Sequence, residues 1–196
     1  MISMGDMQPR PFHVDLSAMV PRRSVATLYS TLVTRPTGQA LRLGIEQQID
    51  PGELCVSILD FSRVSIIDYS CADEIVAKLI QRYSSDDRPA EAYFIARGMG
   101  DAHREPVEEV LVRHGLALVA ECDDACELIG EVDGLERAAF EIVERKRRLG
   151  AHAVAKAIGL AEDAVELALA KLAQKRVVLR DGRADEWLSL RALLRG

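Results

Sequence analysis

Residues able to do chemistry fall in three places. The first is Asp68-Tyr69-Ser70-Cys71-Ala72-Asp73, where a hydroxyl stands between carboxylates just ahead of a helical period. A serine at a helix start with an acid three residues on approaches a capping box, with Asp in place of Glu or Gln; as a cap alone Ser70 would contribute about 1 kcal/mol. The same geometry suits a phosphate on Ser70, because a helix N-terminus offers free N–H groups and the positive end of its dipole, although Asp68 and Asp73 would oppose it by like-charge repulsion. Both roles stay open. The second place is Asp101-Ala102-His103-Arg104, read as a polar loop. An acid and an imidazole there could serve a small hydrolase-type enzyme, or be no more than a solvated loop. The third is basic: Arg145-Lys146-Arg147-Arg148 at the end of a helix, with Arg180 and Arg183 around an Asp-Gly turn. Cations in a last helical turn are favoured by the macrodipole, and the same residues are candidates for nucleic-acid or partner contact.

Other chemistries lack their patterns. Gly98-Met99-Gly100 has no third glycine for a dinucleotide fingerprint, and neither a Gly-Lys-Ser/Thr phosphate loop nor Gly-x-Ser-x-Gly occurs. Cys122 and Cys126 are four apart with no histidine at ligand spacing, so the four cysteines read as free thiols and no metal or other cofactor is expected. No nucleophile stands beside a base in the sequence, so the expected class is non-enzymatic. No apolar run of about 18 residues is present, and the first residues lack a basic patch followed by an apolar stretch. These features predict no membrane association, no secretory signal and a cytoplasmic location.

The elements that must position these residues alternate. Leu54–Leu59, Ala92–Ala96 and Leu116–Ala120 are short continuous apolar runs, which predict strands buried on both faces. Between them, residues 71–83 follow a helical period, with Ala72, Ile75, Val76, Leu79, Ile80 and Tyr83 inward and Asp73, Glu74, Lys78 and Gln81 outward. Pro106 fits the first turn of a second helix ending at His114-Gly115, and Gly38–Ile49 reads as a helix upstream. Ser24–Thr34 is ambiguous between states, and residues 12–18 fit an edge strand. Strand-helix alternation predicts an α/β sheet covered by helices.

Charge divides the 196-residue chain. Residues 1–133 carry 12 Lys+Arg against 22 Asp+Glu, a balance of −10; residues 134–196 carry 13 against 9, a balance of +4, which together give the net −6. A turn near Glu131-Val132-Asp133-Gly134 places the join. The expected organisation is an N-terminal segment (1–35) packed on the sheet, a sheet domain (36–133) and a basic helical domain (134–196), each domain burying its own interior. In the last, Leu135–Leu149 reads as a helix, residues 152–158 as a short helix before Gly159, and residues 161–175 as a third. Val177–Arg180 and Glu186–Leu190 then flank an Asp-Gly turn, a hairpin signal.

Two segments resemble known families. Leu59-Asp60-Phe61-Ser62-Arg63-Val64, followed by Asp68-Tyr69-Ser70, is similar to the signature of STAS domains, the anti-sigma factor antagonist fold, over residues 36–121. Thr34-Arg35-Pro36-Thr37-Gly38 and Ser70-Cys71-Ala72-Asp73-Glu74 resemble a divergent branch of it. The resemblance implies a partner-switching module whose serine, here Ser70, is phosphorylated by a histidine-kinase-like ATPase that is also a partner. Asp68, Tyr69 and Asp73 would then form its switch loop. Tyr69 replaces a small residue of the pattern and Cys71 a glycine. The tail, with Ala155, Gly159, Leu160, Val165, Leu169 and Leu172 at matching spacing, is similar to the winged helix-turn-helix family over 134–190, which implies DNA binding in most relatives. Its third helix opens on Ala161, Glu162, Asp163, Ala164 and Glu166, which offer no donors to base edges. A regulatory protein partner, with Leu167 as a contact, is therefore expected ahead of DNA. Winged-helix regulators commonly pair, so a homodimer, with Val25–Val33 as an interface, is left open.

Overall fold

The computed structural model describes residues 13–14, 16, 21–123 and 125–195, with His13, Val14, Tyr29 and Arg195 described by backbone alone. Strands and helices are numbered in chain order. A two-residue strand β1 (His13–Val14) comes first, and β2 (Arg22–Leu32) resolves the ambiguous segment as an 11-residue strand. Then follow α1 (Arg35–Glu46), β3 (Leu54–Ile67), α2 (Tyr69–Ala72), a π-type turn (Asp73–Ala77), α3 (Lys78–Ser84), β4 (Glu91–Arg97) and α4 (Asp101–Arg113). Strands β5 (Ala117–Cys122) and β6 (Ala125–Gly130) complete the first half. The second half holds α5 (Gly134–Lys146), β7 (Arg148–Leu149), α6 (Ala151–Ile158), α7 (Glu162–Gln174), β8 (Val178–Asp181), β9 (Glu186–Ser189) and a terminal 3-10 turn, Leu190–Arg195.

The fold is mixed α/β with a mostly parallel sheet. Its order is β2-β3-β4-β5-β6; the first four strands are parallel and β6 returns antiparallel. Parallel neighbours need crossovers, and α1, α2–α3 and α4 supply them. All three lie on one face, where Ile45, Ile75, Leu79, Tyr83, Val107 and Leu111 pack against Cys55, Leu59, Phe94 and Leu118. Residues two apart on a strand share a face, so Leu54, Val56, Tyr93, Ile95, Ala117 and Val119 form the opposite apolar face.

That second face decides the architecture. It shares one apolar interior with Phe140, Val143, Val154, Val165, Leu169, Leu172 and Trp187 of α5, α6, α7 and β9. The expectation of two domains with separate interiors is therefore corrected. A continuous apolar strand demands a cover on both faces, and the basic tail is that cover. Arg176, buried at positive φ of 62°, joins the layers. Its Nη2 donates to Glu91 Oε2 at 2.8 Å and to the Ala92 carbonyl at 3.2 Å, and its guanidinium lies 4.2 Å from the Tyr93 ring centroid.

Several sequence expectations also change. The strand predicted over 54–59 runs on to Ile67, because β2 keeps pairing beside it past Asp60. The helix expected to open at Pro106 opens at Asp101, so Asp101 and His103 lie on α4 rather than in a loop. His13–Val14 is an edge strand as expected, paired parallel with β8 in the small sheet β1-β8-β9-β7; of residues 12–18, 12, 15, 17 and 18 lie outside the described residues. Gly159, at φ of 80°, ends α6 in the left-handed conformation that favours glycine, and the hairpin β8–β9 forms where expected. Among the described residues no helix is long and apolar enough to cross a membrane.

Candidate functional site

The junction between β3 and α2 brings the switch-loop residues together. Asp68 has extended backbone and precedes the helix, so its carboxylate, not the Ser70 hydroxyl, is the cap. Asp68 Oδ1 accepts from the Cys71 N–H at 2.8 Å and from Ser70 Oγ at 2.9 Å. The capping box expected of Ser70 and Asp73 is thus overturned: a charged acceptor two residues earlier takes the free N–H, and Ser70 becomes its donor. Burial pushes the Asp68 carboxyl up, but the bonds from Cys71 and Ser70 more than offset it and hold it below the usual carboxylate range. Ser70 is half-buried, and Tyr69 is exposed with its hydroxyl 3.2 Å from Glu105 Oε1.

Asp73 turns away from Ser70. It accepts from Arg35 Nη1 at 3.0 Å and lies 2.9 Å from His114 Nε2. Glu74, placed on the outer face by its periodicity, is instead buried and held by Arg35 at 2.8 Å and by Lys78. The π-type turn shifts residues 73–77 against the helical period and so turns Glu74 inward. In the sequence Arg35 belongs to the lead-in to α1, and its role as the cation over Asp73 and Glu74 has no local signal there.

Below this junction Asp60 accepts from Ser62 Oγ at 2.5 Å, from the Ser62 N–H at 3.0 Å and from Arg97 Nη2 at 2.6 Å. Burial raises the Asp60 carboxyl, but the bonds from Ser62 and Arg97 prevail and bring it to about 2. The Asp-Phe-Ser segment thus locks the end of β4 to the middle of β3.

His103 is buried on α4. Its Nδ1 accepts from the Gly100 N–H at 3.1 Å, so Nε2 carries the proton and donates to the Val64 carbonyl at 2.8 Å. With both ring nitrogens occupied by backbone, the acid–base pairing of His103 with Asp101 is corrected: Asp101 is exposed in the first turn of the same helix. Among the described residues no group of three or more His, Cys, Asp or Glu is placed to hold a metal ion.

In the C-terminal layer the basic run does not form one patch. Arg145 and Lys146 end α5 and are exposed, whereas Arg147 takes positive φ of 69° at its C-cap and pairs with Glu144. Arg148 starts β7 and lies 3.4 Å from both Asp181 and Glu186. Arg180 is tied to Glu166 at 2.8 Å and to Asp185 at 2.5 Å, over the Trp187 ring. Arg183 sits exposed in the hairpin turn, its N–H donating to Asp181 Oδ1 at 3.1 Å. A cleft of about 400 Å³ opens between hairpin and helix starts, lined by His152, Glu162, Asp163, Glu166, Arg180 and Asp185 among others. Its surface is predominantly acidic. Leu167 stands 60% exposed beside it, as its place in the helical period predicts.

No family model matches the chain, and no curated protein is recognisably similar to it.

Proposed function

We propose that the chain is a non-enzymatic regulatory protein acting in the cytoplasm. In this reading a STAS-like layer binds a partner protein around Ser70, and a winged-helix-like layer carries the output through protein contacts. The observation that carries it is the Asp68 junction. Asp60-Phe61-Ser62-Arg63-Val64 runs up β3 into a capped helix start, and Ser70 Oγ sits 2.9 Å from the capping carboxylate. A phosphate on Ser70 would place roughly two negative charges against Asp68 and displace the cap, a change a partner can read. Arg35, 3.0 Å from Asp73 Oδ2 and on the surface, is the nearby cation that could answer it.

A protein output is favoured over DNA by the charge around α7. Glu162, Asp163 and Glu166 stand where a recognition helix would meet phosphate, and Arg180 is already neutralised by Glu166 and Asp185. The test is affinity capture of the full chain from its native cell, with nuclease present, comparing wild type, Ser70→Ala and Ser70→Glu. A histidine-kinase-like ATPase or other regulatory protein retained by wild type and Ser70→Ala, and lost with Ser70→Glu, is expected. If labelled random-sequence duplex DNA binds at low salt with a steep salt dependence that Arg180→Glu and Arg183→Glu abolish, the output is DNA binding and the reading fails.

A further inference from the structure

The edge strand β2 is long and only partly guarded. It ends the five-stranded sheet, so one side pairs with β3 and the other side has no strand among the described residues. Its 11 residues contain neither proline nor glycine, and no charge lies between Ser24 and Thr34. Such an edge is a template for another strand, which native proteins usually blunt with charge, proline or a bulge. Here the guards are Arg22 and Arg23 at one end and two register irregularities, after Thr27 and after Ser30, with Ser30 at φ of 78°. Val25 is 40% exposed on this strand, and Ile66, opposite Thr31, is 48% exposed.

Charge selects the occupant. Arg22 is held by Asp50 and Glu53. Arg23 and Arg63 are exposed and have no ion-pair partner among the described residues. Ala26 and Leu28 point into the helical face, so Arg23 and Val25 stand on the other face. Arg63 pairs in register with Tyr29. Val64 belongs to the helical face, which leaves Arg63, on β3 one strand in from the edge, on the face of Arg23; measured along β2 the two cations flank Val25 and Thr27 at a spacing of six residues, about 20 Å. A second copy paired antiparallel would bring Arg23 of one chain toward Arg63 of the other, which like-charge repulsion disfavours.

We propose that the free edge of β2 docks an extended acidic segment of a partner protein as a sixth strand. Its main chain would complete the edge, an apolar side chain would cover Val25, and carboxylates spaced six residues apart would meet Arg23 and Arg63. This surface is separate from the Ser70 hydroxyl and stands whether or not Ser70 is modified.

The probe is the labelled peptide Ser-Glu-Thr-Val-Thr-Val-Thr-Glu-Ser, which sets its two glutamates and two valines on one face and reads alike in both directions, so that it serves either strand orientation. Anisotropy titration of the full chain should show saturable binding, weakened about tenfold or more by Arg23→Glu with Arg63→Glu, by the peptide with lysines for glutamates, or by raised salt. Amide exchange should slow over Val25–Thr31 on peptide addition. Both arginines are exposed, so an unchanged thermal melt confirms that the variants fold, with Arg23→Gln as a milder second variant. Ser70→Ala should bind the peptide unchanged, which separates this site from the switch loop. No binding up to about 1 mM, or equal binding of the lysine peptide, overturns the proposal. So does a dimer in sedimentation whose β2 amides are already protected in the free chain, since a second copy would then hold the edge.

Discussion

At the scale of single residues, the junction is held by carboxylates that must stay ionised. Asp60 is the clearest case: its folded value of about 2 lies below its ordinary 3.8. A depressed acid stabilises the fold fully above its unfolded value and loses that contribution as pH falls through the folded one. Stability should therefore decline between about pH 4 and pH 2, with Asp60 accounting for about 2 kcal/mol of it. Urea unfolding at a series of pH values checks this. Asp60→Asn should be less stable at neutral pH and should show a shallower decline over that window; an unchanged slope would show that other acids carry it. Asp68, also held low, contributes in the same direction. Ser70 and His103 show how far residue type alone can be read. Each was recognised as polar in an informative place, but which atoms they meet depends on Asp68 and on the Val64 carbonyl. The latter lies 39 residues from His103.

At the scale of elements, close packing of the chain sets the tolerance to change. Gly130 ends β6 with φ of 101°, and a Cβ there would come 2.4 Å from the Leu116 carbonyl oxygen. Backbone cannot give way as a flexible side chain can. Gly130→Ala is expected to cost about 3 kcal/mol and to lower Tm by roughly 10 °C, read by thermal melts monitored by circular dichroism. A drop of a degree or less would mean that the open end of the β5–β6 pair, where Gly130 faces Ala117, relaxes freely. The apolar runs of β3, β4 and β5 were legible because burial on both faces leaves a continuous pattern, and α7 because its stripe keeps the helical period. β6 was not, since Ala125-Cys126-Glu127-Leu128 mixes polar and apolar residues under tertiary pairing with β5. The basic run at 145–148 was legible as charge but not as shape: positive φ at Arg147 turns the chain there, so Arg147 and Arg148 meet different acids while Arg145 and Lys146 stay exposed on α5.

At the scale of the whole molecule, the two halves unfold together if they share an interior. Trp187 is the sole tryptophan and lies in the C-terminal layer, whereas most of the strand and helix content that far-UV circular dichroism senses lies in the first half. The fluorescence and dichroism transitions in urea are expected to coincide; two separated midpoints would contradict the shared interior. Truncation after Asp133 would uncover Leu54, Val56, Tyr93 and Ile95. The shortened chain should bind a hydrophobic dye or aggregate, and a monodisperse, dye-negative product would count against the same interior.

The strands β3, β4 and β5, the main helices, the hairpin, the break in charge near Gly134 and the polar cluster at Asp68–Asp73 follow from local pattern, because period, turn chemistry and charge act over a few residues. Which carboxylate caps α2, where Glu74 and His103 point, and that the tail roofs the sheet were decided only by the folded chain. Those outcomes rest on contacts between segments tens of residues apart, where one buried face must find another.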